Sequence, residues 1–154
     1  MDFELTEEQR DIKRAAREFA EGEFVDIARE CDIKEIYPRE VVKKAAELGF
    51  VGVYVPEEYG GAGLGFLEDV LVCEEFSRVD PGIAISIFST TFGVTTILAV
   101  GSEEQKQKYI PPLCRGEKIM GIAVTDPDAG SDVAGAVNTK AVLEGDEWVI
   151  NGAK

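Results

Sequence analysis

The chain has 154 residues, 45% of them hydrophobic, with a formal net charge of -14 and a pI near 4.4, which suits one domain, or one domain and the start of another. Its 16 lysines and arginines form no run, which excludes the clustered basic surface that a nucleic-acid partner requires. It has no histidine, so a histidine-based triad, a histidine metal site and an imidazole general base are excluded.

The amino-terminal MDFELTEEQRD is acidic and amphipathic, not a basic stretch followed by an apolar one, so no secretory signal is expected and the protein is read as cytoplasmic. Cys31, Cys73 and Cys114 lie about 40 residues apart, the spacing of neither a metal site nor a dense disulfide framework, and are read as reduced thiols. Thr6-Glu-Glu-Gln9 is a capping box. It opens a helix with Ile12, Ala15, Ala16, Phe19 and Ala20 on its inner face, expected to end near 26–30. A second helix is expected from Pro38, burying Val41, Val42, Ala45 and Ala46 and stopping at Gly49.

FVGVYVP (50–56) reads as extended or loop-like, and PEEYGGAGLG (56–65) as a connecting loop. The four glycines lack both the Lys-Ser/Thr ending of a P-loop and a Gly-x-Gly-x-x-Gly order, so a phosphate cradle is the weaker reading. Phe66 to Val79 reads as helix with Phe66, Leu67, Val70, Leu71 and Cys73 mostly inward, and Asp80-Pro81 caps the next one. Residues 81–102 carry no charge and are long enough to span a bilayer, but Ser86, Ser89, Thr90, Thr91, Thr95 and Thr96, with Gly93 among them, favour a buried core helix.

Ser102-Glu-Glu-Gln105 repeats the capping box and starts a charged helix that Pro111-Pro112 is expected to end. After Gly116 the pattern turns to strands: IMGIAVT (119–125), NTKAVLE (138–144) and, after a turn at Glu144-Gly145-Asp146, EWVIN (147–151). The pattern therefore reads as mainly α, a helical domain followed by a β region, with a boundary near 115–118 dividing 1–116 from 117–154. About three strands make a marginal sheet, so the chain reads as cut short.

Taken in order, Thr6-Glu7-Glu8-Gln9, Leu48-Gly49, Val55-Pro56-Glu57-Glu58-Tyr59-Gly60-Gly61, Glu74-Glu75, Gly101-Ser102-Glu103-Glu104-Gln105-Lys106, Thr125-Asp126-Pro127-Asp128-Ala129-Gly130-Ser131-Asp132 and Trp148-Val149-Ile150-Asn151-Gly152 resemble a flavin-dependent acyl-CoA dehydrogenase. The resemblance spans essentially the whole chain and implies an amino-terminal helical bundle followed by the first strands of a β-barrel-like domain. It implies FAD as cofactor, an acyl-CoA substrate, an electron-transfer flavoprotein as partner, a homo-oligomer, and α-proton abstraction coupled to β-hydride transfer. It places Ile122, Ala123, Val124, Thr125, Ala129, Gly130 and Ser131 along the flavin, with Thr125 at the pyrimidine side of the ring and Ser131 where cofactor and thioester meet. Phe88 and Phe92, four apart on one face, would line the acyl-chain cavity and limit its depth, although plain core packing is the simpler reading of both.

By pattern alone Thr125 is a strand-end hydroxyl and Asp126-Pro127 a turn starter; the resemblance reverses that preference, while Asp132 reads as a carboxylate capping nearby amides. Two positions depart from the family pattern. Asp126 stands where a glutamate is usual, and Ile122 where an aromatic is common. The family's catalytic glutamate would lie beyond Lys154, so no catalytic residue and no metal ligand is assigned, and Glu74 and Glu75 read as surface or packing acids. An acyl-CoA oxidase-like flavoprotein and a non-catalytic helical assembly or binding module share these features as alternatives.

Overall fold

A computed structural model describes residues 4–132, 134, 135 and 137–154. The chain divides into two units, Met1–Gly121 and Ile122–Lys154. The first holds helices α1 (Glu7–Glu23), α2 (Val25–Lys34), α3 (Arg39–Glu47), α4 (Phe66–Val79), α5 (Pro81–Phe88), α6 (Val94–Val100) and α7 (Glu103–Cys114). The second holds an antiparallel hairpin, β1 (Lys140–Glu144) with β2 (Glu147–Asn151).

Local chemistry sets most of the helix starts. The Thr6 and Ser102 hydroxyls accept from Gln9 and Gln105 backbone N–H groups, and each glutamine side chain reaches back to the cap amide. Asp80 Oδ1 accepts from Ile83 N at 2.7 Å with Pro81 in the first turn. In α3, Pro38 is the cap residue and not the first helical one, and all four expected inner residues are buried. The first helix ends earlier than expected, at Glu23. There Phe24 turns fully into the core and α2 starts in a new direction, with Ala15 left exposed.

The main core of this unit is aromatic. Phe76 packs against Phe19, Phe24, Phe50 and Phe88 with ring centroids 5.2–5.8 Å apart, the pairs with Phe24 and Phe50 edge to face. A second cluster joins Val55, Tyr59, Val94, Ile110, Leu113 and Cys114. Burial there pushes the Cys114 thiol up to about 11, so it packs as an inert apolar group.

Three expectations are corrected in this unit. The α4 bounds match, but its buried residues are Leu71, Val72, Glu75 and Phe76, whereas Phe66 and Val70 are 64% and 60% exposed. Phe76 meets Phe19 of α1, and the charge of Glu75 beside it is neutralised by arginines. The apolar segment after Asp80 is not one helix, although Pro81–Val100 is long and apolar enough to cross a membrane by length and composition. It breaks at Ser89–Thr91, where the Thr90 and Thr91 hydroxyls donate to the carbonyls of Ile87 and Phe88 and the backbone tightens into a 3₁₀ turn. Lastly, Pro111 and Pro112 do not end α7, which runs on to Cys114. The carbonyls they leave unpaired belong to Gln107 and Lys108 on the exposed side, while Ile110, Leu113 and Cys114 gain burial.

In the second unit, Gly145 has φ 64 as the first residue of the two-residue turn that pairs Glu144 with Glu147, the glycine-first arrangement of a hairpin turn. The stretch expected as the strand IMGIAVT is not a strand; no second strand pairs with it among the described residues, and Ile122 and Val124 are exposed.

Candidate functional site

Each unit carries one candidate region. In the helical unit, the α4 face turned away from the core meets α5 and the 3₁₀ turn in a groove of about 550 Å³ lined by Tyr54, Phe66, Val70, Ile85, Phe88 and Phe92, among others. Tyr54 and Phe66 stack at 4.8 Å along one wall, and the Tyr54 hydroxyl lies 3.2 Å from Thr95 Oγ1. Phe88 and Phe92 thus line one groove, although a 3₁₀ turn separates them. Phe88 is tied to the core through Phe76, while Phe92 is 44% exposed. Asp69 stands on the same wall, and burial holds its carboxyl above the usual range. Sequence reasoning missed it. The available signal was an acid at helical spacing among Phe66, Val70 and Cys73.

In the second unit, Asp126-Pro127-Asp128-Ala129 closes on itself, with Asp126 N donating to Ala129 O at 3.0 Å and Ala129 N to Asp126 O at 3.1 Å. Asp126 is buried and accepts from Asn138 N at 3.2 Å and from Lys154 Nζ at 3.1 Å. The lysine beside it holds its carboxyl below the usual range. Asp132 accepts from Gly135 N at 3.0 Å, the amide-capping role expected of it.

The turn leaves its neighbours open. Among the described residues, no backbone hydrogen bond takes the amides of Ile122, Ala123, Val124 or Thr125, and none involves the hydroxyls of Thr125 and Ser131. Ile122 is 51% exposed, and a Cβ built on Gly130 would meet nothing within 4 Å. The Ala129 amide is already taken by Asp126, whereas those of Gly130 and Ser131 carry no hydrogen bond among the described residues. These N–H groups and hydroxyls are donors open to a ligand that carries acceptor atoms.

The glycine-rich 56–65 loop is different. Successive amides from Gly60 to Leu64 donate to the carbonyls of Glu57, Pro56, Gly52, Val55 and Val53, and Gly65 N to Glu68 Oε2. Tyr59 N donates to the Pro56 carbonyl as well, so the amides of 59–65 are all satisfied internally and the glycines cannot cradle a phosphate. A Cβ on Gly61 would come within 2.2 Å of the Val55 carbonyl oxygen, which accounts for glycine there.

Glu75 and Glu74 can also be placed. Glu75 is 2% exposed and ion-paired with Arg17 and Arg78, which hold its carboxyl down at about 2, and Glu74 pairs with Lys13 at 2.5 Å. Both are structural acids at the α1–α4 contact. Among the described residues no group of histidine, cysteine and acidic side chains has the arrangement to hold a metal ion.

A family model described as the acyl-CoA dehydrogenase N-terminal domain matches residues 6–117. The chain belongs to the acyl-CoA dehydrogenase family. It is 47% identical over its whole length to the short-chain specific acyl-CoA dehydrogenase of Clostridium acetobutylicum, covering 41% of that protein. Among solved structures it is similar to a chain in the electron transferring flavoprotein work on Acidaminococcus fermentans, with 43% identity, a TM-score of 0.89, and 99% of this chain matched to 40% of that one. It is also similar to an acyl-CoA dehydrogenase complexed with FAD from Bacillus anthracis, with 37% identity, a TM-score of 0.87, and 97% of this chain matched to 26% of that one. The chain spans about two fifths of the length of the curated relatives it matches. The helical unit is the family's amino-terminal domain.

Proposed function

We propose that this chain supplies part of the flavin-facing and acyl-facing surfaces of an FAD-dependent enzyme that oxidises acyl-CoA thioesters to 2,3-enoyl-CoA and passes electrons to an electron-transfer flavoprotein. The observation that carries the reading is the exposed row of free amides from Ile122 to Thr125 beside the free hydroxyls of Thr125 and Ser131. The cofactor is FAD, the group named with the Bacillus anthracis relative, and when bound it supplies the hydride acceptor.

Reduction adds negative charge to the pyrimidine edge of a flavin, and donors fixed beforehand at that edge stabilise the charged product side. Thr125 and the amides of 122–125 are such donors. Gly130 and Ser131 present a backbone with little side-chain bulk, able to approach a thioester or phosphate oxygen closely. The groove along α4 and α5 offers apolar walls that suit an acyl chain and exclude water.

Neither Glu74 nor Glu75 serves as the base that removes the α proton. A carboxyl held at about 2 with both oxygens bonded to arginines is a poor proton acceptor at neutral pH, and Glu74 is engaged by Lys13. The test is FAD reconstitution of the full-length protein followed by flavin bleaching with a series of saturated acyl-CoA thioesters. Bleaching by short or medium chains, weakened in Thr125→Val, is the expected result. A full-length protein that takes up no FAD would overturn the proposal.

A further inference from the structure

From the second unit we infer that Lys154 is a positioning residue for Thr125, a role that rests on the flavin reading above. Its Nζ donates to the Val124 carbonyl oxygen at 2.9 Å and lies 3.1 Å from Asp126 Oδ2, so one ammonium group holds the residues on both sides of Thr125. Asp126 is held a second time by the Asn138 amide. Asn138 precedes β1 and Lys154 follows β2, and the two strands pair with Lys140 opposite Asn151. The base of the hairpin therefore grips the turn from both of its chain ends.

The geometry that brings Lys154 back is built into its neighbours. Thr139 Oγ1 donates to the Ala153 carbonyl oxygen at 3.1 Å. Gly152 has φ 148, and a Cβ there would lie 2.4 Å from Thr139 Oγ1, so the chain bends toward the turn only with glycine at this position. The Lys154 side chain is 21% exposed and that of Asp126 5%, and a charge-assisted contact to a buried carboxylate is stronger than a pair between two solvated groups. Without it, the segment from Ile122 to Thr125 has no backbone partner among the described residues to hold it. The clamp satisfies the Val124 carbonyl and leaves the amides of the segment and the Thr125 hydroxyl unpaired, so it sets the backbone without occupying the ligand-facing donors.

The test uses the full-length protein with Lys154→Met, which keeps the stem and removes the charge, Lys154→Arg, which restores a donor, and Asp126→Asn. Hydrogen exchange is followed at the Asp126 and Ala129 amides, which bond across the turn, and, as a control, at those of β1 and β2, and FAD affinity is read from flavin fluorescence. Expected for Lys154→Met is exchange at the first set at least about tenfold faster, with FAD affinity reduced by about tenfold or more, the size seen when the orienting partner of a binding group is removed. The strands should keep their protection. Asp126→Asn should move the same way to a smaller extent, and Lys154→Arg should recover both readouts. FAD affinity unchanged in Lys154→Met, with the parent protein binding FAD, overturns the positioning role and leaves the flavin reading intact. Equal loss of protection in the hairpin overturns it in favour of a general structural role. A parent protein that does not bind FAD overturns both.

Discussion

Arg17 grips Glu75 side-on, its Nε and Nη2 donating at 2.9 Å each to the two carboxylate oxygens, across the contact between α1 and α4. Arg78 Nε adds a third bond at 3.1 Å from within α4, and a bidentate fork of this kind fixes both distance and orientation. Glu75→Gln keeps the volume and removes the charge, leaving guanidinium groups that are about half exposed and remain hydrated. A loss of about 2 kcal/mol is expected in urea unfolding, below the 3–5 kcal/mol for breaking a fully buried pair.

The same pair makes stability depend on acid. Arg17 first, then Arg78, holds the folded carboxyl at about 2 against a reference of 4.5. A depressed carboxyl contributes stability that is complete above the unfolded value and lost as pH falls through the folded one. The Tm gap between parent and Glu75→Gln should therefore be constant above pH 4.5 and shrink as pH falls toward 2. A gap that does not change across that window contradicts the assignment.

At the alkaline end the pair to follow is Tyr59 and Glu103. The Tyr59 hydroxyl donates to Glu103 Oε1 at 2.6 Å, and this bond, more than burial, raises the phenol to about 12. A raised folded value gives stability that is complete below pH 10 and lost as pH climbs through about 12. Ultraviolet titration should show one tyrosine ionising late, and Tyr59→Phe should remove that step and flatten the decline in Tm between pH 10 and 12.

Two phenylalanines should respond in opposite ways. Phe76 is fully buried among four other rings, and Phe76→Ala should cost about 3–5 kcal/mol through lost burial and the cavity it leaves. Phe92 is partly exposed on the groove wall, so Phe92→Ala should cost under about 1 kcal/mol. In the full-length enzyme that substitution should shift preference toward longer thioesters. Unchanged chain-length preference would show Phe92 to be packing alone.

Much of the fold was readable from local chemistry. Thr6, Asp80 and Ser102 mark their helix starts because each side chain bonds an amide only three residues on. Asp132 and the Gly145 turn were readable for the same reason. The face of α4 was not, because five apolar residues competed for the inner position and the winner included an acid. Only the arrival of Arg17 from 58 residues away makes Glu75 a core residue. The failed strand at 119–125 had the right composition, but a strand exists only where a partner accepts its hydrogen bonds.

The candidate site divides along the same line. Thr125, Gly130 and Ser131 are candidates through the ordered motifs that resemble the family, since by its own pattern the stretch reads as a plain turn. The clamp from Lys154 could not be named that way. A lysine after Asn-Gly-Ala looks like any solvated cation until the hairpin folds and brings its ammonium across 30 residues to the Val124 carbonyl. The sequence by itself determined caps, turns and the chemical types at the site, because those interactions span a few residues. Tertiary structure decided which helix face is buried and which charge holds the turn, because both depend on groups that only long-range packing brings together.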